Sequence, residues 1–162
     1  MIRPAAPKDA KEIAALWNWM INETLATFTT EQKTEQGVVE LIEARPGLFL
    51  VTVRDGALAG FATCGAFRPG PGYAATVEHS VIVSPQAHGA GHGRALLTAL
   101  EARARDYGKH VMLAAISGAN PAAVAFHAAL GYTEVGRLPE VGCKAGRWLD
   151  LVLMQKTLSP DR

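Results

Sequence analysis

The sequence predicts a mixed α/β fold in which helices cover a sheet. Three observations predict it. The hydrophobic period switches between a helical spacing and strict alternation several times along the chain. The resulting order is strand, two helices, three antiparallel-type strands, helix, strand, helix, two strands, which lacks the regular alternation of a doubly wound sheet. A chain of 162 residues, 49% apolar and 19% charged, can bury a core without a disulfide or metal staple.

A short strand at IRPA opens the chain. Pro7 to Ala26 carries Ile13, Leu16, Trp17, Met20, Ile21 and Thr24 at spacings of three and four, an apolar helical face. Gln32 to Ala44 repeats the pattern with Val38, Val39, Leu41 and Ile42, and Pro46-Gly47 stops it. Leu48 to Arg54 reads as a strand, Asp55-Gly56 as a tight hairpin turn and Ala57 to Phe67 as the returning strand. A loop follows from Arg68 to Gly72, then a strand from Tyr73 to Val83. Gly91 to Tyr107 is a helix striped by Leu96, Leu97, Leu100 and Ala104, with Gly108 as its stop. His110 to Ile116 is nearly all apolar, as a central strand should be. Asn120-Pro121 caps a helix that runs to Leu130. Tyr132 to Leu138 and Trp148 to Lys156 close the chain as two strands.

Sixteen Lys and Arg against 15 Asp and Glu give a net charge of +1, so the bulk electrostatic footprint of a nucleic-acid binder is absent. The start MIRPAAPKDAKE has no apolar core of a secretory leader, and the longest clean apolar stretch, Leu48 to Val53, is far too short for a bilayer. Cys64 and Cys143 are distant and have no zinc spacing; two reduced thiols are the simpler reading, with one distant disulfide as the alternative. The expectation is a single-domain cytoplasmic protein acting on a small molecule or on another protein, without nucleic-acid or membrane partners.

The most informative stretch is SVIVSPQAHGAGHGRALLTAL, a strand that leads into Gly89, Gly91 and Gly93 and at once into a helix. Glycines let backbone approach a ligand, and the first N–H groups of a helix are unpaired beside its positive end. Such a loop can cradle a phosphate or pyrophosphate. It ends Gly-Arg-Ala, where a P-loop needs Gly-Lys-Ser/Thr, and its G-x-G-x-G at mid-chain is not the dinucleotide fingerprint. A glycine turn that merely permits tight packing is the competing reading of these residues alone.

Gln86-Ala87-His88-Gly89-Ala90-Gly91 resembles the Q/R-x-x-G-x-G/A signature of the GNAT superfamily of acyl-CoA N-acyltransferases, in its usual place between the fourth strand and the third helix. IRPA with IAALWNWMINETLATF, TVEHSVIV, HVMLAAISGANPAAVAFHAALGY and the tail EVGCKAGRWLDLVLMQKTL are similar to the phosphinothricin and methionine sulfone/sulfoximine N-acetyltransferases. The resemblance covers nearly the whole chain. It implies one domain over residues 1–162, a mostly antiparallel central sheet flanked by helices with splayed fourth and fifth strands, acetyl-CoA as cosubstrate, no metal, and a homodimer.

The resemblance also implies the site. The pyrophosphate would lie on the loop opened by Gln86, on the amides of His88, Gly89, Ala90, Gly91, His92, Gly93 and Arg94. The pantetheine would run along Ser80, Val81 and Ile82, with a backbone N–H near Val81 or Ile82 as donor to the developing oxyanion. Asn120, a helix cap by physics alone, would also bond this arm. An attacking amine must lose a proton, and Glu78 is the acceptor; alternation puts Thr76, Glu78, Ser80 and Ile82 on one face and Val77, His79, Val81 and Val83 on the other. His127 stands where many relatives carry a tyrosine and where the resembled subfamily also carries His. The resemblance implies a catalytic role for it, as acid toward the thiolate or base toward the amine, whereas a lone His on an alanine-rich helix reads by itself as a packing residue. The substrate would sit against Thr27 and Phe28 on one side and Arg68 and Tyr73 on the other, with Arg68 as clamp for a carboxylate or phosphinate. The chain departs from some relatives at Gly70, where no second basic residue follows Arg68, and at Ala145, where an aromatic is usual.

Sharper alternatives fail on spacing. His88 and His92 are four apart, but no third ligand is evident near them. Trp17 fits a core stripe and Trp19 lies off it; Lys144, Arg147 and Asp150 form no catalytic set. Direct attack by the amine is expected, since nothing in the sequence activates Cys64 as a nucleophile. The expected reaction is N-acetylation of an amino-acid-like amine of the phosphinothricin, methionine sulfone or methionine sulfoximine type. Another small amine or a peptide, and a non-catalytic acyl-CoA sensor, are the alternatives.

Overall fold

The computed structural model describes residues 1–159, so the last three residues of the expected 1–162 domain lie outside the described part. Its elements are β1 (Ile2–Pro4), α1 (Ala10–Glu23), α2 (Glu35–Ala44), β2 (Phe49–Arg54), β3 (Ala57–Ala66), β4 (Thr76–Val83), α3 (His92–Asp106), β5 (Val111–Ser117), α4 (Pro121–Ala129), β6 (Thr133–Lys144) and β7 (Arg147–Thr157). The order matches the sequence reading element for element. The seven strands form one sheet in the order β1-β2-β3-β4-β5-β7-β6. Every neighbouring pair is antiparallel except β4 and β5.

The alternation along the strands feeds two cores, one on each face of the sheet. Ile13, Trp17 and Ile21 of α1 and Val38 and Ile42 of α2 close on Phe49, Val51, Phe61 and Ile82. On the other face, Leu96, Leu97 and Leu100 of α3 meet Leu50, Ala62, Val77, Met112, Ala114 and Val152. The three leucines of that stripe are fully buried. Each such side chain contributes roughly 1.5–3 kcal/mol relative to exposure.

Local chemistry decides the ends. Asp55-Gly56 is a two-residue hairpin turn, with φ 52° and 79°, as expected. The first helix stops at Glu23 and not at Ala26, because Thr24 is extended and its hydroxyl donates to the Met20 carbonyl at 2.6 Å. Tyr73 belongs to a 3-10 turn, Pro71–Tyr73, and the strand begins only at Thr76. Asn120 caps α4 with its side-chain oxygen on Ala123 N at 3.3 Å, Pro121 occupies the first turn, and Gly131 follows the helix at φ 93°.

The larger correction concerns the last two strands. Pairing does not end at Leu138 and resume at Trp148: β6 runs on to Lys144 and returns from Arg147 through Ala145 (φ 51°) and Gly146 (φ 71°). The register shifts between Leu138 and Gly142, and Glu140, at φ 56°, donates its N–H to Asp150 at 2.9 Å. Pro139 and this bulge interrupt the alternation, and Ala-Gly is not a strong hairpin signal, so the continuous hairpin is masked in the sequence.

Candidate active site

The site follows from one break in the sheet. β4 and β5 pair in parallel at Thr76↔Val111, Val77↔Met112 and Glu78↔Leu113, and there the pairing stops. β4 continues against β3 as far as Val83↔Gly60, while β5 continues against β7 as far as Ser117↔Leu151. The two strands therefore splay, as expected, and a cleft of about 470 Å³ occupies the gap. Its walls come from both faces of the sheet: Trp17, Met20 and Ala26–Thr29 on one side, Asn120, Ala123 and His127 of α4 on the other, with Glu78 to Ile82 and Ala114 to Ser117 between them.

Which backbone groups face the gap can be worked out from the ends of β4. Thr76 O accepts from Phe67 N at 3.3 Å, and Ser84 N donates to Ala59 O at 2.8 Å, both toward β3. Ala75 O accepts from His110 N at 2.8 Å on the β5 side. The β3–β4 register is unbroken between these points. Hydrogen-bonding direction alternates along a strand, so Glu78, Ser80 and Ile82 aim their N–H and C=O at β3, while Val77, His79, Val81 and Val83 aim theirs at β5. Beyond the last β5 pair, Val81 offers a free edge. This corrects the expectation for Ser80 and Ile82, whose amides are turned to β3; they reach the cleft by side chain only.

Side chains alternate with the opposite consequence. Glu78 is solvent-exposed on the α1–α2 side, and the bulk packed around it raises its carboxyl above the ordinary value by desolvation. His79 points to the other side and is 8% exposed. Its Nε2 lies 2.9 Å from His127 Nε2, and His127 Nδ1 lies 2.7 Å from Ala123 O. A carbonyl only accepts, so His127 carries its proton on Nδ1. Its Nε2 then accepts from the Nε2–H of His79. Burial, then the neighbouring ring, holds His79 down to about 3, and burial also lowers His127. The pair is neutral, and both ring nitrogens of His127 are engaged inside the protein. Tyr132 stands edge-on to both rings and donates to Glu101 at 3.2 Å; Lys156 pairs with Glu101 at 2.8 Å.

The glycine loop lies just past β4 and does not line the cleft itself. Gln86 is in a 3-10 turn, Pro85–Ala87, and His88 turns back to donate from Nε2 to Val83 O at 2.9 Å. Gly89 and Gly91 both take φ 81°, which explains glycine there, and Gly91 is the N-cap of α3. No side chain caps that helix, so the N–H groups of His92, Gly93 and Arg94 have no acceptor of their own within it. A pyrophosphate fits those donors, an extended amide-bearing arm fits the Val81 edge, and Asn120 lines the cleft with its amide nitrogen still to spend. The residues thus suit acetyl-CoA. Among the described residues no group of three or more His, Cys, Asp or Glu could hold a metal ion.

The expected substrate side is only partly assembled. Phe28 and Thr27 line the cleft. Their loop is clamped by β6: Lys144 Nζ donates to Thr24 O at 2.9 Å and Thr27 O at 2.7 Å, and a Cβ on Gly142 would land on the Phe28 ring. Arg68 and Tyr73 do not line it; the Arg68 guanidinium sits 5.5 Å from the centre of the Tyr73 ring, on the exposed β3–β4 loop. Among its lining residues the cleft instead holds two titratable side chains not assigned to the site from the sequence, His79 and Lys33. His79 was visible only as part of a strand face otherwise made of valines. Lys33 lies in a loop with no motif to mark it.

Residues 13–132 match the model of the acetyltransferase (GNAT) family. The chain is 40% identical over 166 residues to an L-methionine sulfoximine/L-methionine sulfone acetyltransferase of Pseudomonas aeruginosa, covering 99% of this chain and 96% of the relative. It is similar in structure to a ribosomal-protein-alanine N-acetyltransferase of Brucella melitensis, with TM-score 0.92, 38% identity and coverage of 97% and 99%. It is also similar to a phosphinothricin acetyltransferase of Sinorhizobium meliloti in complex with acetyl-CoA, with TM-score 0.92, 33% identity and coverage of 97% and 87%.

Proposed function

The chain belongs to the GNAT acetyltransferase family, and on that premise we propose that it is the N-acetyltransferase of a small amino-acid-like amine, of the methionine sulfone, methionine sulfoximine or phosphinothricin type. The observation that carries the reading is Glu78, a carboxylate with a raised pKa at the point where the sheet opens, with the free Val81 edge three residues on.

Acetyl-CoA, when bound, supplies the thioester that the amine attacks. The amides of the glycine loop and of the first turn of α3, Gly89 to Arg94, would hold the pyrophosphate, and Asn120 and the Val81 edge would hold the arm. The N–H of Val81 is the donor for the carbonyl oxygen where negative charge develops. Glu78 takes the proton of the substrate ammonium, directly or through a water, and passes it to solvent through the open side of the cleft. The N–C bond then forms as the C–S bond breaks, the sulfur leaves as a thiolate, and the proton shed by the amide nitrogen neutralises it through solvent. Its raised pKa brings it nearer to a neutral working pH than a surface carboxylate would be. His127 is not free to act as base while its Nε2 is filled by His79; the neutral pair closes the α4 side of the cleft. Cys64 takes no part: it is buried on the α3 side, and burial pushes its thiol up to about 11.

One domain over the full chain, a homodimer and a cytoplasmic location complete the proposal. Two free thiols, one of them exposed, suit a reducing compartment. No described helix is long and apolar enough to cross a membrane. The likeness to a ribosomal-protein-alanine N-acetyltransferase favours a second reading, acetylation of a protein α-amine. The test is thiol release from acetyl-CoA with methionine sulfone, methionine sulfoximine, phosphinothricin, ordinary amino acids, a polyamine and an alanine-starting peptide. Turnover of the first three supports the proposal. Turnover of the peptide alone selects the second reading, and binding of acetyl-CoA without any turnover overturns both.

A further inference from the structure

The cleft carries two formally charged side chains among its lining residues, Glu78 and Lys33. Glu78 has its role in the reaction; Lys33 has none so far. We propose that Lys33 binds a carboxylate of the amine substrate and so selects amino acids over simple amines; the inference rests on the N-acetyltransferase reading above.

Several independent features support it. Lys33 is half-buried on the α1–α2 side, the side to which Glu78 points. Its backbone is fixed at both ends of the residue: Asn18 donates to Lys33 O at 2.9 Å and accepts from Lys33 N at 2.7 Å. Its ammonium is held 4.6 Å from the centre of the Trp17 ring, and Trp17 is itself packed on Phe61, whose cross-strand partner on β4 is Ile82. The position of the charge is thus set by the core. A cation over one face of an aromatic ring keeps its other N–H donors for a ligand. Among the described residues no carboxylate lies within 4.0 Å of it, although Glu31 and Glu35 are close in sequence. One carboxylate and one ammonium facing a common space are the complement of a zwitterion: the substrate ammonium goes to Glu78 and the carboxylate to Lys33. This also replaces the clamp assigned from sequence to Arg68, which stacks on Tyr73 outside the cleft.

The experiment measures kcat and KM of the wild type, Lys33→Met, Lys33→Gln and Lys33→Arg with L-methionine sulfone and with its α-carboxamide, and the KM for acetyl-CoA alongside. The expected result is a KM for the sulfone raised roughly tenfold or more in the Met and Gln variants, as for loss of a hydrogen bond to a charged group. The KM for the carboxamide should move less than about twofold, kcat and the acetyl-CoA KM should hold, and Arg should recover part of the loss. An equal change with both substrates, no change with either, or a rise confined to the acetyl-CoA KM overturns the assignment. So does a wild type that handles sulfone and carboxamide alike, and in that case the N-acetyltransferase reading survives. A wild type that acetylates no amine defeats both. The thermal midpoint of each variant separates lost packing on Trp17 from lost recognition.

Discussion

Glu78 and His79 are consecutive residues with opposite surroundings. Glu78 looks into the open, α1–α2 half of the cleft, beside solvent and a single lysine; His79 looks into the closed half, against His127, Tyr132 and the α3 core. Burial moves both toward their neutral forms, a carboxyl upward and an imidazole downward. Only one of them keeps a route to water. The difference assigns the work: proton traffic belongs to the open half, and the sealed half supplies shape and dryness. Strand alternation is enough to produce it, since one step along β4 reverses both the side-chain face and the direction of the amide.

The strongest way to break the comparison is Glu78→Gln. It should lower kcat/KM for the amine by roughly a hundredfold to ten-thousandfold, the range of general-base removal, and leave acetyl-CoA binding in place. Its stability should not fall. A carboxyl whose pKa is raised in the fold makes the folded state less stable as pH rises through it, so a neutral amide removes that cost at pH 7. Retained turnover in steady-state kinetics, or a lowered thermal midpoint, would sink the division of roles.

His127→Ala should be milder in rate and costlier in stability. It strands the buried His79 Nε2–H, at about 1–3 kcal/mol for an unsatisfied buried group, while the Ala123 carbonyl keeps the backbone N–H of residue 127 within α4. Turnover should drop on the order of tenfold, less than in Glu78→Gln. A larger rate loss than in Glu78→Gln, with full stability, would move the base to the closed half.

Acid sharpens the same contrast. Imidazoles held below 6.5 in the fold are protonated first in the unfolded chain. Their stabilisation is therefore complete above about pH 6.5 and is lost as pH falls from there toward the folded values. The unfolding free energy from denaturant titrations should decline below that point by up to about 1.4 kcal/mol per pH unit for each ring. His79→Leu should flatten the decline, and an unchanged slope would show that the rings are not the cause. The smallest effect is expected from Lys144→Met, which frees the carbonyls of Thr24 and Thr27 and so loosens the loop under Phe28. The KM for the amine should rise a few fold, roughly the loss of one charged hydrogen bond shared with the loop's other contacts, with the acetyl-CoA KM unmoved. A change in the acetyl-CoA KM alone would place that loop on the wrong half.

The elements that a sequence shows best are those whose signals are local. The glycine loop, the Asn120-Pro121 cap, the α3 leucine stripe and the alternation of TVEHSVIV each mark their own structure, and all stand as expected. What was not legible depends on partners far along the chain. The end of β4–β5 pairing after Leu113 decides that Val81 and not Ile82 faces the gap, and no residue in either strand announces it. His79 and His127 are 48 residues apart, and their hydrogen bond turns an apparent packing histidine and a candidate acid–base into a single neutral unit. Lys33 becomes part of the cleft because Asn18 and Trp17 on α1 hold it there. The long β6–β7 hairpin was obscured by Pro139 and the bulge at Glu140.

The central claim is that Glu78, in the open half, accepts the amine's proton. Its most direct test is the pH dependence of kcat/KM for the amine in wild type, Glu78→Gln and His127→Ala, read apart from the titration of the amine itself. The wild type should show an acidic limb with its inflection above the ordinary glutamate value of about 4.3. That limb should vanish in Glu78→Gln and persist in His127→Ala. A limb that persists in Glu78→Gln and vanishes in His127→Ala would contradict the claim and move the base to the other face of the strand.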